Sequence, residues 1–329
     1  VRIARALERR VYARAARIVV LSKAFEELLV RDYGVDASRI SVLPPGVDLE
    51  RFATGAPSPH DGLRLVAMRR LQRRMGLEVA IEAMALLRER GVAASLELIG
   101  AGPEREALER HVHARGLGDV VRFAGFVPDE ELAEHYRAAD VSVVPTVALE
   151  GFGLIVLESM ACGTPVVASA VGGLSEVVGD FDEGLLVAPG DAAALADRLE
   201  AAARGELPSR ESCARYAGGF TWAESLRRQL AWMQAPTRRP RVLFLGHHAK
   251  LSGGELAMAR QLPAITSAEV EVLLGAPGPL VQRLEADGVA VSVLALPGGL
   301  GEVTREEANA MVGGRELLAT ASGWAFGRT

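Results

Sequence analysis

Between residues 62 and 204 the chain alternates short apolar runs with longer stretches whose apolar residues recur every three or four positions. LRLVAM (63–68), SLELIG (95–100), VVRFAGF (120–126), VSVVPT (141–146), PVVAS (165–169) and GLLVAP (184–189) read as buried strands. Between them, 76–90, 103–115, 129–138, 153–162, 173–179 and 191–204 carry helical spacing. Continuously apolar strands separated by helices build a parallel sheet covered on both faces. The pattern therefore predicts a doubly wound α/β domain over about 62–220.

The flanks are less regular. Helical spacing over 3–17 leads to a strand at RIVVLS (17–22), a helix over 23–33 stopped by Gly34, and a strand at ISVLPPGVD (40–48). ATGAPSPHDG (53–62) is a polar linker, and APTRRPR (235–241) a second one after a helix over 221–234. The rhythm then restarts with RVLFLG (241–246), a helix over 254–264, VEVLLG (270–275), a helix over 279–287 and VAVSVLAL (289–296). The final 300–329 holds a further helical pattern and a small-residue tail with no assignment.

A length of 329 residues fits two or three domains. Net charge is −5 with both signs dispersed and no basic stripe interleaved with aromatics, which argues against nucleic acid as a partner. Cys162 and Cys213 lack metal-ligand spacing and read as reduced thiols of a cytoplasmic protein. No apolar run reaches the ~18 residues of a membrane span. The opening VRIARALERR has neither a start methionine nor a signal-peptide pattern, so the chain reads as part of a longer gene product.

The chemistry concentrates in EGFGLIVLE, from Glu150 to Glu158. Glu150 follows a strand end, where ligands of open parallel sheets sit. Gly151 and Gly153 let the backbone approach a ligand, and the helix starting near Gly153 offers free N–H groups and a positive dipole end to a phosphate. Glu158 lies on an otherwise apolar segment, and a ribose diol would give its carboxylate two donors. The plainer alternative has Glu150 solvated and Glu158 paired with an arginine.

The segment AADVSVVPTVALEGFGLIVLESMACGTPVVASAVGGLSEVV (138–178) resembles the signature region of retaining GT-B glycosyltransferases of family four, through Glu150 and Glu158, Gly163 to Ala168, and Gly172-Gly173. The likeness extends through LIGAGPEREAL (98–108), RFAGFVPDEEL (122–132), VLPPGVDLERF (42–52) and FTWAESL (220–226), so that residues 1–235 align with the C-terminal part of such an enzyme. The resemblance implies that Glu158 binds the donor ribose and Glu150 the donor sugar. It implies that the backbone at Phe152, Gly153 and Leu154 meets diphosphate or sugar, that Phe126 and Val127 hold the base, and that Arg70 neutralises the diphosphate. Family members usually read Gly-Arg-Leu, three residues, then Lys-Gly. Here RRLQRRMG (69–76) puts Arg69 at the glycine and Met75 at the lysine, and Arg74 is the candidate replacement for the lost charge.

GAGPER (100–105) lacks the third glycine of a dinucleotide fingerprint and reads as a turn, starting at Gly100, that lines the donor cleft. His111 and His113 read as solvated, His247-His248 as a poor metal site, and Asp180-Phe181-Asp182 as a surface loop. No metal and no cofactor are expected. RVLFLGHHAKLSGGELAMARQLP (241–263) resembles the opening of a GT-B N-terminal domain, with Gly253, Gly254 and Glu255 in its Gly-Gly-x-Glu loop. The expected domains are therefore the end of an acceptor domain (1–52), a nucleotide-sugar domain (53–220), a crossover helix and linker (221–240), a partial second N-terminal-type domain (241–299) and the tail (300–329). A fragment of a tandem gene is the preferred account, because 300–329 loses its pattern. A permuted acceptor domain is the alternative, and 241–246 pairing with 17–22 in one sheet would favour it.

The resemblance implies transfer of a sugar from a nucleoside diphosphate sugar, such as a UDP- or GDP-sugar, to an unknown glycan, lipid or small-molecule acceptor. Peripheral contact with the inner membrane face stays open. The rivals are a silent nucleotide-sugar-binding module and a GT-B epimerase.

Overall fold

The computed structural model describes residues 2–55, 59–233, 241–246, 249, 251, 253–266, 268–294 and 324–326. In chain order these form α1 (Arg2–Arg14), β1 (Arg17–Val20), α2 (Lys23–Tyr33), β2 (Ile40–Val42), β3 (Leu63–Met68), α3 (Leu77–Glu89), β4 (Ala94–Ile99), α4 (Arg105–Ala114), β5 (Val121–Gly125), α5 (Leu132–Ala138), β6 (Val141–Val144) and α6 (Leu154–Ala161). There follow β7 (Val166–Ser169), α7 (Gly173–Asp182), β8 (Leu186–Val187), α8 (Ala192–Ala203), α9 (Arg210–Ala217), α10 (Trp222–Met233), β9 (Arg241–Gly246), α11 (Gly253–Gln261), β10 (Glu269–Leu274), α12 (Pro279–Ala286), β11 (Ala290–Val293) and β12 (Trp324–Phe326). They cluster into two units, Pro45–Trp222 and the pair of segments Val1–Pro44 and Ala223–Thr329.

The Pro45–Trp222 unit is a six-stranded sheet of order β5-β4-β3-β6-β7-β8, with every pairing parallel. Its central strands are apolar on both faces, as strands covered by helices on each side must be. All four residues of β6 and all four of β7 are buried. Leu96 and Leu98 on β4, Leu77, Ile81, Met84 and Leu87 on α3, and Leu157 on α6 are all fully buried. Each such side chain contributes about 1.5–3 kcal/mol by leaving water. The helices are capped locally: the side chains of Asp191 and Ser209 accept N–H bonds from Ala194 and Ser212 at the starts of α8 and α9.

The other unit holds two three-stranded sheets, β12-β1-β2 and β11-β10-β9. Strand β1 alternates between two cores: Ile18 and Val20 join Phe25, Leu28 and Leu29 of α2, while Val19 faces a cluster with Val242, Phe244, Met258 and Val272. Ser225 Oγ on α10 donates to Pro44 O at 2.8 Å, and the Arg17 guanidinium stacks 5.0 Å from the Trp232 ring. The sequence pattern places 1–52 and 241–299 in separate domains. Here 1–44 and 223–329 cluster together, yet β1 and β9 lie in different sheets, so the pairing that would mark a permuted domain is not formed.

Several local expectations differ. Helix α9 was not anticipated, because only Cys213 and Ala217 of its eight residues are buried and its apolar stripe is too sparse to read. Helix α7 runs to Asp182, so Asp180-Phe181-Asp182 is helical and not a loop. The strand expected at 184–189 shrinks to Leu186–Val187 after a 3₁₀ turn, and 40–48 ends as a strand at Val42. Trp324–Phe326, in the tail, pairs antiparallel with β1. His247-His248 and the rest of 295–323 lie outside the described residues. Among the described residues no helix is long and apolar enough to cross a membrane.

Candidate functional site

The strand order reverses between β3 and β6: β4 and β5 extend to one side, β7 and β8 to the other. In an open parallel sheet that reversal leaves a crevice beyond the carboxyl ends of the two strands, where ligands bind. Arg69 and Arg70 leave β3 there, and Pro145 to Gly153 leave β6.

Four loops meet around this crevice so closely that glycine is required. Gly76 has φ +66°, and a Cβ there would lie 1.9 Å from Pro145 O. A Cβ on Gly173 would lie 2.4 Å from Gly151 O, where Gly173 N–H donates to Glu150 O at 3.0 Å. The Gly172-Gly173 pair thus holds the loop that carries Glu150. Gly100 sits at the end of β4, and its N–H donates to Gly125 O at 2.7 Å.

Glu150 is not solvated. Its Oε2 accepts from Arg69 Nη2, which also donates to Thr146 Oγ1, and the three side chains are buried or nearly so. Arg69 stands where the family has glycine, and an arginine just past a strand reads from sequence as a rim charge. Its pairing with Glu150 depends on β3 and β6 being neighbours, a long-range fact that no local pattern encodes. Arg70 is exposed, and its side chain makes no hydrogen bond or ion pair among the described residues. Arg74 Nη1 donates to Leu149 O at 2.9 Å, and Val147 N–H returns a bond to Arg74 O. Leu149 is the described non-glycine residue with positive φ (+60°), a strain of about 1–3 kcal/mol that these bonds offset. Met75 is buried and presents no charge to the crevice.

Helix α6 begins at Gly153, with φ +90° and no side-chain cap. Its first turn closes with Val156 N–H on Gly153 O at 2.8 Å, which leaves the preceding N–H groups open to an anion. Glu158, one turn in, is half-buried and accepts from Tyr136 Oη at 3.5 Å. Burial, and then the charge of Glu158, push the Tyr136 hydroxyl well above its ordinary pKa, so it stays a donor. The Phe152 side chain is buried, Leu154 is half-buried, and Phe126 beyond β5 is 80 % exposed beside half-buried Val127. Gly253, Gly254 and Glu255 open α11 in the other unit. His111, expected to be solvated, has Nε2 2.6 Å from Glu82 Oε1. Among the described residues no group of three or more His, Cys, Asp or Glu is placed to hold a metal ion.

This architecture, a helix-covered parallel sheet with an anion-ready helix start and two carboxylates at its switch point, is that of the GT-B glycosyltransferase fold. Residues 50–219 match the family described as Glycosyl transferases group 1, and residues 1–51 match Glycosyltransferase Family 4; the chain belongs to the glycosyl transferases group 1. It is 40 % identical over 240 residues to a D-inositol 3-phosphate glycosyltransferase of Geodermatophilus obscurus, covering 67 % of this chain and 52 % of that one. It is 36 % identical over 254 residues to the protein of that name in Paenarthrobacter aurescens, covering 70 % and 62 %. The chain spans about half the length of the curated relatives it matches. Among solved structures, sucrose-phosphate synthase of Thermosynechococcus elongatus is 35 % identical with TM-score 0.57, covering 66 % of this chain and 57 % of that one. Anabaena HepE in complex with UDP is 21 % identical with TM-score 0.59, covering 66 % and 63 %, and shares the fold.

Proposed function

We propose that this chain carries the donor side of a sugar transfer from a nucleoside diphosphate sugar to an acceptor, with retention at the anomeric carbon. The observation that carries this is the placement of Glu150 and Glu158 on either side of the uncapped start of α6, at the reversal of strand order. In this reading the diphosphate sits on the open N–H groups of Gly153 and Leu154, Glu158 takes the ribose hydroxyls, and Phe126 and Val127 flank the base near Gly100. Arg70, exposed on the same rim, and Arg74 face the diphosphate, and Glu150 meets the donor sugar. Gly253, Gly254 and Glu255 belong to the acceptor side.

The chemical demand is a diphosphate leaving group stabilised while an oxocarbenium-like sugar meets the acceptor. Fixed dipoles and guanidinium groups aimed at developing charge answer it without reorganisation during the step. Front-face attack, with the leaving phosphate taking the acceptor proton, needs no protein nucleophile. The names of the matched relatives make inositol 3-phosphate the first acceptor to try.

Thermal shift against uridine, guanosine and adenosine diphosphate sugars, followed by NMR of the anomeric proton of the product, tests the reading. Binding of one series and an axial or equatorial linkage matching the donor are expected. No affinity for any nucleotide, or an inverted product, would overturn it. A nucleotide-sugar-binding module without turnover is the second reading, favoured by Met75 at the usual lysine position; binding without transfer or donor hydrolysis would establish it.

A further inference from the structure

We propose that Arg69 is a positioning residue that holds Glu150 and thereby sets which donor hexose is accepted; this rests on the nucleotide-sugar reading of the same crevice. The backbone of Arg69 is bonded to β4 and lies close against Gly100. Its N–H donates to Ile99 O at 2.9 Å, and its carbonyl lies 2.1 Å from where a Cβ on Gly100 would stand. The side chain is 6 % exposed. Its Nη2 spans Thr146 Oγ1, which is fully buried, and Glu150 Oε2, while its Nε is buried without a partner.

A guanidinium this deeply buried needs a compensating charge, and Glu150 supplies it. The carboxylate is then held by one oxygen. Its Oε1 accepts no hydrogen bond among the described residues, so a single acceptor of fixed direction is left for a ligand. A free carboxylate rotates and serves vicinal hydroxyls of several configurations, whereas one fixed acceptor, next to an arginine with N–H capacity to spare, discriminates between epimers. Glycine at this position would leave Glu150 without that restraint.

The test is titration calorimetry of the full chain with UDP and with UDP-glucose, UDP-galactose and UDP-mannose, or the corresponding guanosine or adenosine series if that is the one bound. The wild type should prefer one hexose over its epimers by about tenfold or more, as expected where a site hydrogen-bonds a substrate hydroxyl. R69M should keep the Kd for UDP within about twofold and lose most of that preference, with R69K, which retains a charge beside Glu150, in between. Should R69M not fold, R69M/E150Q removes both buried charges together, and its hexose preference should equal that of E150Q alone. Three results overturn the role: a wild type that binds UDP but ignores the hexose, an R69M that keeps the preference, or an R69M that loses UDP as strongly as UDP-hexose. A double variant that differs from E150Q does the same. A wild type that binds no nucleoside diphosphate removes the nucleotide-sugar reading, and this role with it.

Discussion

Single atoms decide much of the crevice. A methyl group on Gly76 would meet Pro145 O and would have to adopt φ +66°, so G76A should lower the unfolding free energy by about 2–4 kcal/mol in urea titrations. Arg74 ties down the strained Leu149 through a charged hydrogen bond of the kind worth about 1.5–3 kcal/mol. R74A should therefore weaken nucleotide-sugar binding by more than about tenfold, read by calorimetry, whether the guanidinium meets phosphate or only fixes the loop. The thiols are silent for a different reason: burial pushes Cys162 up to about 12 and Cys213 up to about 11, and neither is exposed. A thiol-specific disulfide reagent at pH 8 should label neither in the native state and both after unfolding. At this scale the sequence told where charge was unusual but not where it pointed. Met75 and Arg69 both stood out as departures from a pattern. That one is buried and the other reaches Glu150 follows from the β3–β6 neighbourhood, which neither residue encodes.

Elements were easier to foresee than contacts. Strands β6 and β7 announced themselves because parallel strands covered on both faces must be apolar throughout, and β3 to β5 are apolar runs broken by one charge each. Strand β8 is expected longer than its two residues, and helix α9, with two buried ones, carries too little period to be seen. What joins the elements is visible only in three dimensions. The Glu97 carboxylate on β4 reaches Arg122 on β5 and His135 Nδ1 on α5 at 2.7 Å. Burial raises its pKa, but the bonds from Arg122 and His135 outweigh burial and hold it below the usual carboxylate range. A carboxyl depressed by folding stabilises above its unfolded value of about 4.3 and loses that contribution as pH falls through the lower folded value. Urea midpoints measured from pH 6 down to 3 should fall for the wild type, and E97Q should flatten that fall. The glycine pair at the head of α7 acts in the same way on geometry: G173A would push back Gly151 and Phe152 and should raise the Kd for nucleotide without altering the fold seen by circular dichroism.

For the molecule as a whole, the relevant fact is that the candidate donor site lies inside one unit, Pro45–Trp222. A nucleotide bound only by the folded form stabilises that unit by mass action. At a hundredfold excess over Kd its unfolding free energy should rise by about 2.7 kcal/mol, measurable as a shift of the denaturation midpoint. The fold class and the site region were both legible in the alternation of strands and helices. The joining of the chain's two ends in the other unit is legible only as the less favoured alternative, because each end alone shows only a few strands of an incomplete sheet.

That joining has a consequence for synthesis. Val19 and Leu43 leave the ribosome first, and Val242, Phe244 and Val272, which pack in one cluster with them, appear only after the entire middle unit has been made. At about 5–20 residues per second the interval is on the order of 10–40 s. During it Val19 and Leu43 wait for these later partners, whereas the middle unit, whose sheet is complete within its own stretch of chain, depends on nothing made after it.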